Sequence, residues 1–220
     1  MNLNRWLITL LLSISTISMF ADETEEMRKA LTKAQGIERI NILQKIYDLS
    51  QEFDDVDYQL RCINQVIAEC HKQGNLKEEA DARVQKIILF YNNDLNDSVY
   101  AQVHPTLDFL ASIKDWKSYY ETWTVLADTY NFSGQTNTGL KEVQEMFNDA
   151  MKRDEDRKTA INAMYYALEE SFYKDHNYYP ESISEDNIKV IDPSLWTDPS
   201  GYNLGDPLSS YSYEPANCKN

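Results

Sequence analysis

"WKSYYETWTVLADTYNFSGQTNTGLKEVQEMFNDAM", Trp116–Met151, carries the pattern on which the fold turns. Trp116, Tyr119, Tyr120, Trp123, Leu126, Ala127 and Tyr130 recur every three or four residues, with an occasional adjacent pair. Leu140, Val143, Met146, Phe147, Ala150 and Met151 do the same. Each set marks one stripe of a helix with 3.6 residues per turn, and polar residues fill the opposite face. Between them "FSGQTN" (Phe132–Asn137) places Gly134 where a helix must end, because glycine takes the left-handed conformation cheaply. The stretch therefore predicts two amphipathic helices joined by a short turn, which must lie antiparallel.

The same grammar runs outward from this pair. Leu60, Ile63, Val66, Ile67 and Cys70 form one stripe, and Leu76, Ala80, Val84, Ile87, Ile88 and Tyr91 form the next. "KQGN" (Lys72–Asn75) separates them, with Gly74 as the terminator and Asn75 as the expected N-cap, paired with Glu78 in a capping box. Asp115 is the expected N-cap of the helix that opens at Trp116. Glu25–Lys33 and Ile37–Gln51 form an earlier pair around Gly36. "NNDLND" (Asn92–Asp97) reads as a turn. Tyr100–Ile113 reads as a helix in which Pro105 sits at a first turn or makes a kink. The expected architecture is mainly α: an antiparallel helix-hairpin solenoid over residues 22–155, then a last helix and a small turn-rich tail over 156–220, with one β-hairpin.

The ends differ from the middle. Arg5 is the only charge before Asp22, and "WLITLLLSISTISMF" (Trp6–Phe20) has the length and polarity of a secretory h-region. Residues 1–21 are expected to be a signal peptide, which predicts a periplasmic or extracellular protein. Met19 fits a small-x-small cleavage pattern poorly, so an uncleaved membrane anchor stays open. The net charge of −15 argues against nucleic acid and against anionic membrane surfaces, both of which need basic patches. Protein or peptide partners are expected, with no stable membrane insertion beyond the N-terminal segment. At the other end, "DPSLWTDPSGYNLGDPLSSYSYEP" (Asp192–Pro215) holds four of the six prolines and cannot be helical.

"TWTVLADTYNFSGQTNTGL" (Thr122–Leu140) resembles a tetratricopeptide repeat. Trp123 and Tyr130 match its aromatic anchors, Ala127 the small residue where the paired helices touch, Gly134 the turn, and Gly139 the small residue that opens the second helix. "INQVIAECHKQGNLKEEA" (Ile63–Ala80) matches more weakly, and Gly74 and Gly134 lie 60 residues apart, short of two regular repeats. With the N-terminal segment and "DETEEMRKAL…ERINILQKIYDLS", residues 1–155 resemble the extracytoplasmic sensor region of hybrid two-component kinases. That resemblance implies sensing or scaffolding, without phosphotransfer. From Arg157 onward, "AMYYALEESFYKDHNYYP" and the "DPSG" and "YSY" segments resemble the periplasmic part of type IV pilins and pseudopilins. It implies that Ala163, Ala167 and Leu168 pack under a small sheet. The hydrophobic assembly helix of that family is not found before Arg157.

No catalytic or cofactor-binding constellation emerges. His71, His104 and His176 share no metal-ligand spacing. The carboxylates, Glu78 and Glu79 among them, read as solvated helix faces and caps; a hydrolase would need two of them opposed in a cleft. Asp198 and Asp206, in a loop with Ser200 and Asn203, are the calcium candidates, although turn chemistry alone also explains that composition. Trp116, Tyr119 and Tyr120 are the candidates for partner binding, set against plain packing between helices. Cys62 and Cys70 lie eight residues apart on one helix, about 12 Å along its axis, too far for a disulfide. They read as buried thiols, and Cys218 is left over. The reading is a non-catalytic exported scaffold or sensor module that binds a protein or peptide. The alternative is a pilin-like structural subunit of a secretion or surface assembly.

Overall fold

The computed structural model describes residues 25–215; the expected signal peptide, residues 1–21, and Cys218 lie outside them. The protein is mainly α, as the periodicity predicts. After a first helix, α1 (25–31), come α2 (Gly36–Ser50), α3 (Val56–Gln73), α4 (Leu76–Asn92), α5 (Asn96–Ser112), α6 (Trp116–Phe132) and α7 (Thr136–Tyr166). The chain divides into two compact units, Met1–Ile113 and Lys114–Asn220. Among the described residues no helix is long and apolar enough to cross a membrane.

In the first unit each helix packs on the next, α2 on α3, α3 on α4 and α4 on α5. Ile40, Leu43, Ile46 and Tyr47 of α2 meet Cys62, Ile63, Val66 and Cys70 of α3, with Ala82 and Leu89 of α4 closing the cluster. Gly74 ends α3 at φ +67°; its own N–H donates to the His71 carbonyl and that of Asn75 to the Cys70 carbonyl. Asn75 stands at the α4 N-cap position but makes no capping bond, so the expected box with Glu78 does not form. Between α3 and α5, α4 is covered on more than one side, which buries Ala82, Leu89 and Phe90 beyond the predicted stripe. Leu76 and Ile88 of that stripe are left exposed. Pro105 lies well inside α5 rather than in its first turn.

Glu79 departs most from its expected solvated face. It is fully buried; Oε1 accepts from Arg83 Nε at 2.9 Å and Nη2 at 2.6 Å, and Oε2 faces His71 Nδ1 at 3.2 Å. A buried charge persists only when so paired. The two cysteines are free and buried, and burial, reinforced by Glu78 and Glu79, pushes the Cys70 thiol up to about 11.

In the second unit, Asp115 caps α6 as expected, accepting from the Ser118 N–H at 3.2 Å. Gly134 turns the chain at φ +78°. Gly139 then lets α7 approach α6: a Cβ there would stand 2.8 Å from the Ala127 carbonyl oxygen and 3.3 Å from Tyr130 Cβ. α7 runs through residue 155, where sequence places the end of the repeats, as one helix of 31 residues. The charged run around it sustains the helix through Arg153–Asp149 and Arg157–Asp154 pairs, one turn apart. A π-helical segment, Ala167–Tyr173, and a last turn, α8 (Lys174–His176), continue it to Asn177, which closes it at φ +59°.

The tail folds back onto this long helix. Ile188, Ile191, Trp196 and Tyr211 pack on Ala160, Met164 and Ala167. Among the described residues the tail holds no strand, only a short 3-10 turn (Pro193–Trp196) and one isolated antiparallel bridge, Thr197–Asn203. Three Asp-Pro-x turns shape it. Asp192, Asp198 and Asp206 each accept, through Oδ1, the N–H two residues on, at 2.9, 2.6 and 3.0 Å. Proline supplies the fixed φ and no competing donor at the middle position.

Candidate partner-binding surfaces

The structure brings Trp116, Tyr119 and Tyr120 together, half-buried, around one cation. Their rings meet edge to face, Trp116 with Tyr119 at 5.4 Å and Tyr119 with Tyr120 at 5.2 Å between centroids. The Arg153 guanidinium, from α7, lies 4.1 Å over Trp116 and 5.5 Å from Tyr120, donates to the Tyr120 hydroxyl and is held by Asp149 at 2.5 Å. Trp116 Nε1 donates to the Ser200 carbonyl at 3.1 Å. These partners make the row a joint between α6, α7 and the tail; the edges left exposed are narrow. Trp123, further along, is buried and donates from Nε1 to Glu142 at 3.0 Å.

The calcium candidates have separate roles. Asp198 is only 2% exposed and accepts the N–H groups of Ser200 at 2.6 Å and Ser210 at 2.7 Å. Burial pushes its carboxyl up, but the backbone bonds from Ser210, Ser200 and Tyr202 and the Arg157 charge outweigh that and hold it below the ordinary value. Asp206 is exposed and accepts the Leu208 N–H. Among the described residues no group of three or more His, Cys, Asp or Glu side chains could hold a metal ion. The chemistry here is that of turn formation, with backbone N–H groups in the place of a cation.

Two surfaces were not legible in the sequence. The first is on the N-terminal half of α7, where Leu140, Val143, Phe147 and Met151 are 62%, 41%, 56% and 46% exposed. Periodicity places them on one face; it does not say whether another element covers that face, and α6 packs on a different one. The second lies where the tail meets the other end of α7. A cavity of about 330 Å³ opens there, walled by Ile161, Met164, Leu168, Ile183 and Leu204, with Tyr165, Tyr211 and Tyr213 around it. Beside it Tyr173 and Tyr179 stack at 4.8 Å, and Tyr165 packs edge-on to Tyr166 at 5.5 Å. Tyr179 donates to Glu169 at 2.5 Å, and that bond pushes its phenol up to about 12. The signal available for this second surface was composition: five of the fifteen tyrosines fall between residues 165 and 179.

Comparison with known proteins returns no family model, no curated protein and no solved structure that matches this chain.

Proposed function

We propose that this protein is a non-catalytic, exported helical-repeat scaffold or sensor module that binds a protein or peptide partner. The observation that carries the reading is the uncovered apolar row Leu140, Val143, Phe147 and Met151. Soluble chains rarely leave such a row open without a use, and terminal repeats of a solenoid ordinarily present a polar outer face. Consecutive helix hairpins, with the close glycine contact at Gly139, support a tetratricopeptide-like arrangement. Export to the periplasm or the extracellular space rests on the sequence of residues 1–21.

The test is site-specific photocrosslinking in the exporting cell, with the probe at Phe147 and, as control, at Lys158. A discrete adduct at Phe147 alone, lost when Leu140 and Met151 are changed to serine, is the expected result. No adduct at Phe147, or equal adducts at both positions, refutes the reading.

A second reading, a pilin-like structural subunit, draws support from the tail, which is folded onto Ala160, Met164 and Ala167. Self-crosslinked ladders from the same experiment favour that reading over the scaffold.

A further inference from the structure

The tyrosine surface at the C-terminal end of α7 has a composition of its own. Tyr165, Tyr166, Tyr173 and Tyr179 are 57%, 62%, 38% and 41% exposed. Tyr165 stacks edge-on with Tyr166, Tyr173 stacks on Tyr179, and Glu169, about one turn after Tyr165, joins the two pairs through its bond from Tyr179. Tyrosine is enriched where proteins meet, because it offers a large rigid face and a polar tip at low entropic cost. The segment that carries the patch is strongly acidic. From Tyr165 to Asp186 the chain carries six carboxylates and one lysine, with no arginine. Glu169 stands among the rings, bonded to Tyr179, and Lys174 is already paired with Glu170. The patch is continuous with the cavity of about 330 Å³ through Tyr165, which lines both. That volume lies within the range of pockets that hold a small ligand or a single anchoring side chain. The backbone here is also unusual: the rings and Glu169 project from or beside the π-helical segment Ala167–Tyr173, a geometry that recurs at functional sites.

We infer that this surface binds a cationic peptide segment, its arginine or lysine side chains lying on the Tyr165–Tyr179 rings beside Glu169 and one large apolar side chain entering the cavity. The charge decides the occupant. Tyrosine faces attract cations through the ring quadrupole, and the surrounding carboxylates add a field of the same preference. An anionic or neutral partner gains nothing from that field. The inference rests on the binding-scaffold reading but uses a surface distinct from the Leu140–Met151 row, so the two can fail separately.

Fluorescence anisotropy on the exported full chain tests it, with a labelled peptide of alternating arginine and leucine as the probe. Controls replace arginine by glutamate, or leucine by serine. The arginine–leucine peptide is expected to bind, more weakly as salt rises, and both controls to bind at least about tenfold more weakly. Tyr173→Ser with Tyr179→Ser is expected to weaken binding by a similar factor, and Glu169→Gln by less, in protein that circular dichroism shows to be folded. Should the tyrosine pair disturb folding, Glu169→Gln with Glu181→Gln carries the test on charge alone. Equal binding of the glutamate peptide overturns the inference. So does binding of a neutral oligosaccharide such as cellohexaose without the cationic peptide. Loss of peptide binding in Phe147→Ser, with the tyrosine variants unaffected, moves the peptide to the α7 row, which overturns this inference and leaves the scaffold reading standing.

Discussion

Replacing Asp198 by alanine removes the acceptor around which the tail is organised. In the native chain its two oxygens take the Ser200 N–H at 2.6 Å and the Ser210 N–H at 2.7 Å, and Ser209 Oγ approaches at 3.4 Å. Hydrogen bonds to a charged acceptor contribute about 1.5–3 kcal/mol each. Ser210 is exposed, so water reaches its freed N–H and lowers the cost there. The expected loss is therefore about 3 kcal/mol, near the low end for two such bonds. For a unit of about one hundred residues that corresponds to a fall of roughly 10–15 °C in melting temperature. Asp198→Asn keeps one oxygen acceptor but turns an amide N–H donor toward the other backbone N–H and loses the charge, so it is expected to cost about as much as alanine. Circular dichroism gives the melting temperature, and hydrogen exchange at the Ser200 and Ser210 amides locates the change. The carboxyl is held below its ordinary value in the folded state, so its contribution is complete above about pH 4–5 and is lost as pH falls through the folded value. Wild type should lose stability through that acid range, and Asp198→Ala should lose less. An Asp198→Ala protein with unchanged melting temperature and unchanged protection at both amides would refute the reasoning.

Gly139→Ala ordinarily gains about 1 kcal/mol in a helix interior, but here the new methyl group meets the Ala127 carbonyl at 2.8 Å. A net loss of about 1–2 kcal/mol is expected in urea unfolding, and a stabilised variant would show that α6 and α7 can separate at no cost. Cys62 and Cys70 are expected to stay unreactive to a disulfide reagent near neutral pH until denaturant is added, since burial holds the Cys70 thiol up near 11. Fast labelling of the native protein contradicts that burial. Because the Asp198 oxygens are already engaged by N–H donors, millimolar calcium or a chelator should leave the melting temperature unchanged. A rise with calcium restores Asp198 and Asp206 as ligands.

The helices and their turns were legible because each is written locally. The apolar period, Gly36, Gly74 and Gly134 at positive φ, and Asp115 as a cap all act within a few residues. Ala127 lies where α6 and α7 touch, its carbonyl facing Gly139, a residue that sequence marks only as the opening of the second helix. What was not legible depends on residues far away in the chain. Arg157 looked like a new beginning, yet ion pairs one turn apart carry α7 straight past it. Leu140, Val143, Phe147 and Met151 look like core by period alone, yet among the described residues no element covers them. Trp116, Tyr119 and Tyr120 are partner candidates by sequence, and their contacts with Arg153 and Ser200, distant in the chain, are not written in that pattern. Glu79 shows the converse: an ordinary surface glutamate by sequence, buried because Arg83 and His71 converge on it.

The bonds that tie the "DPSG" loop to the start of α6 set an order of events. Lys114 donates to the Gly201 carbonyl and Trp116 to that of Ser200, spanning 87 and 84 residues of chain. The first unit packs each helix on its immediate neighbour, so its contacts form as soon as two helices exist. Such local topologies fold fast, whereas closing a long loop incurs its entropic cost before any contact offsets it. A chain that emerges from its N-terminus therefore completes its first unit and the α6–α7 pair early, while the face of α7 at Ala160, Met164 and Ala167 stays uncovered until the tail has been made. The tail works as a clasp on this second unit, and the interval before it closes is when a chaperone, a protease or the proper partner has access to the long helix.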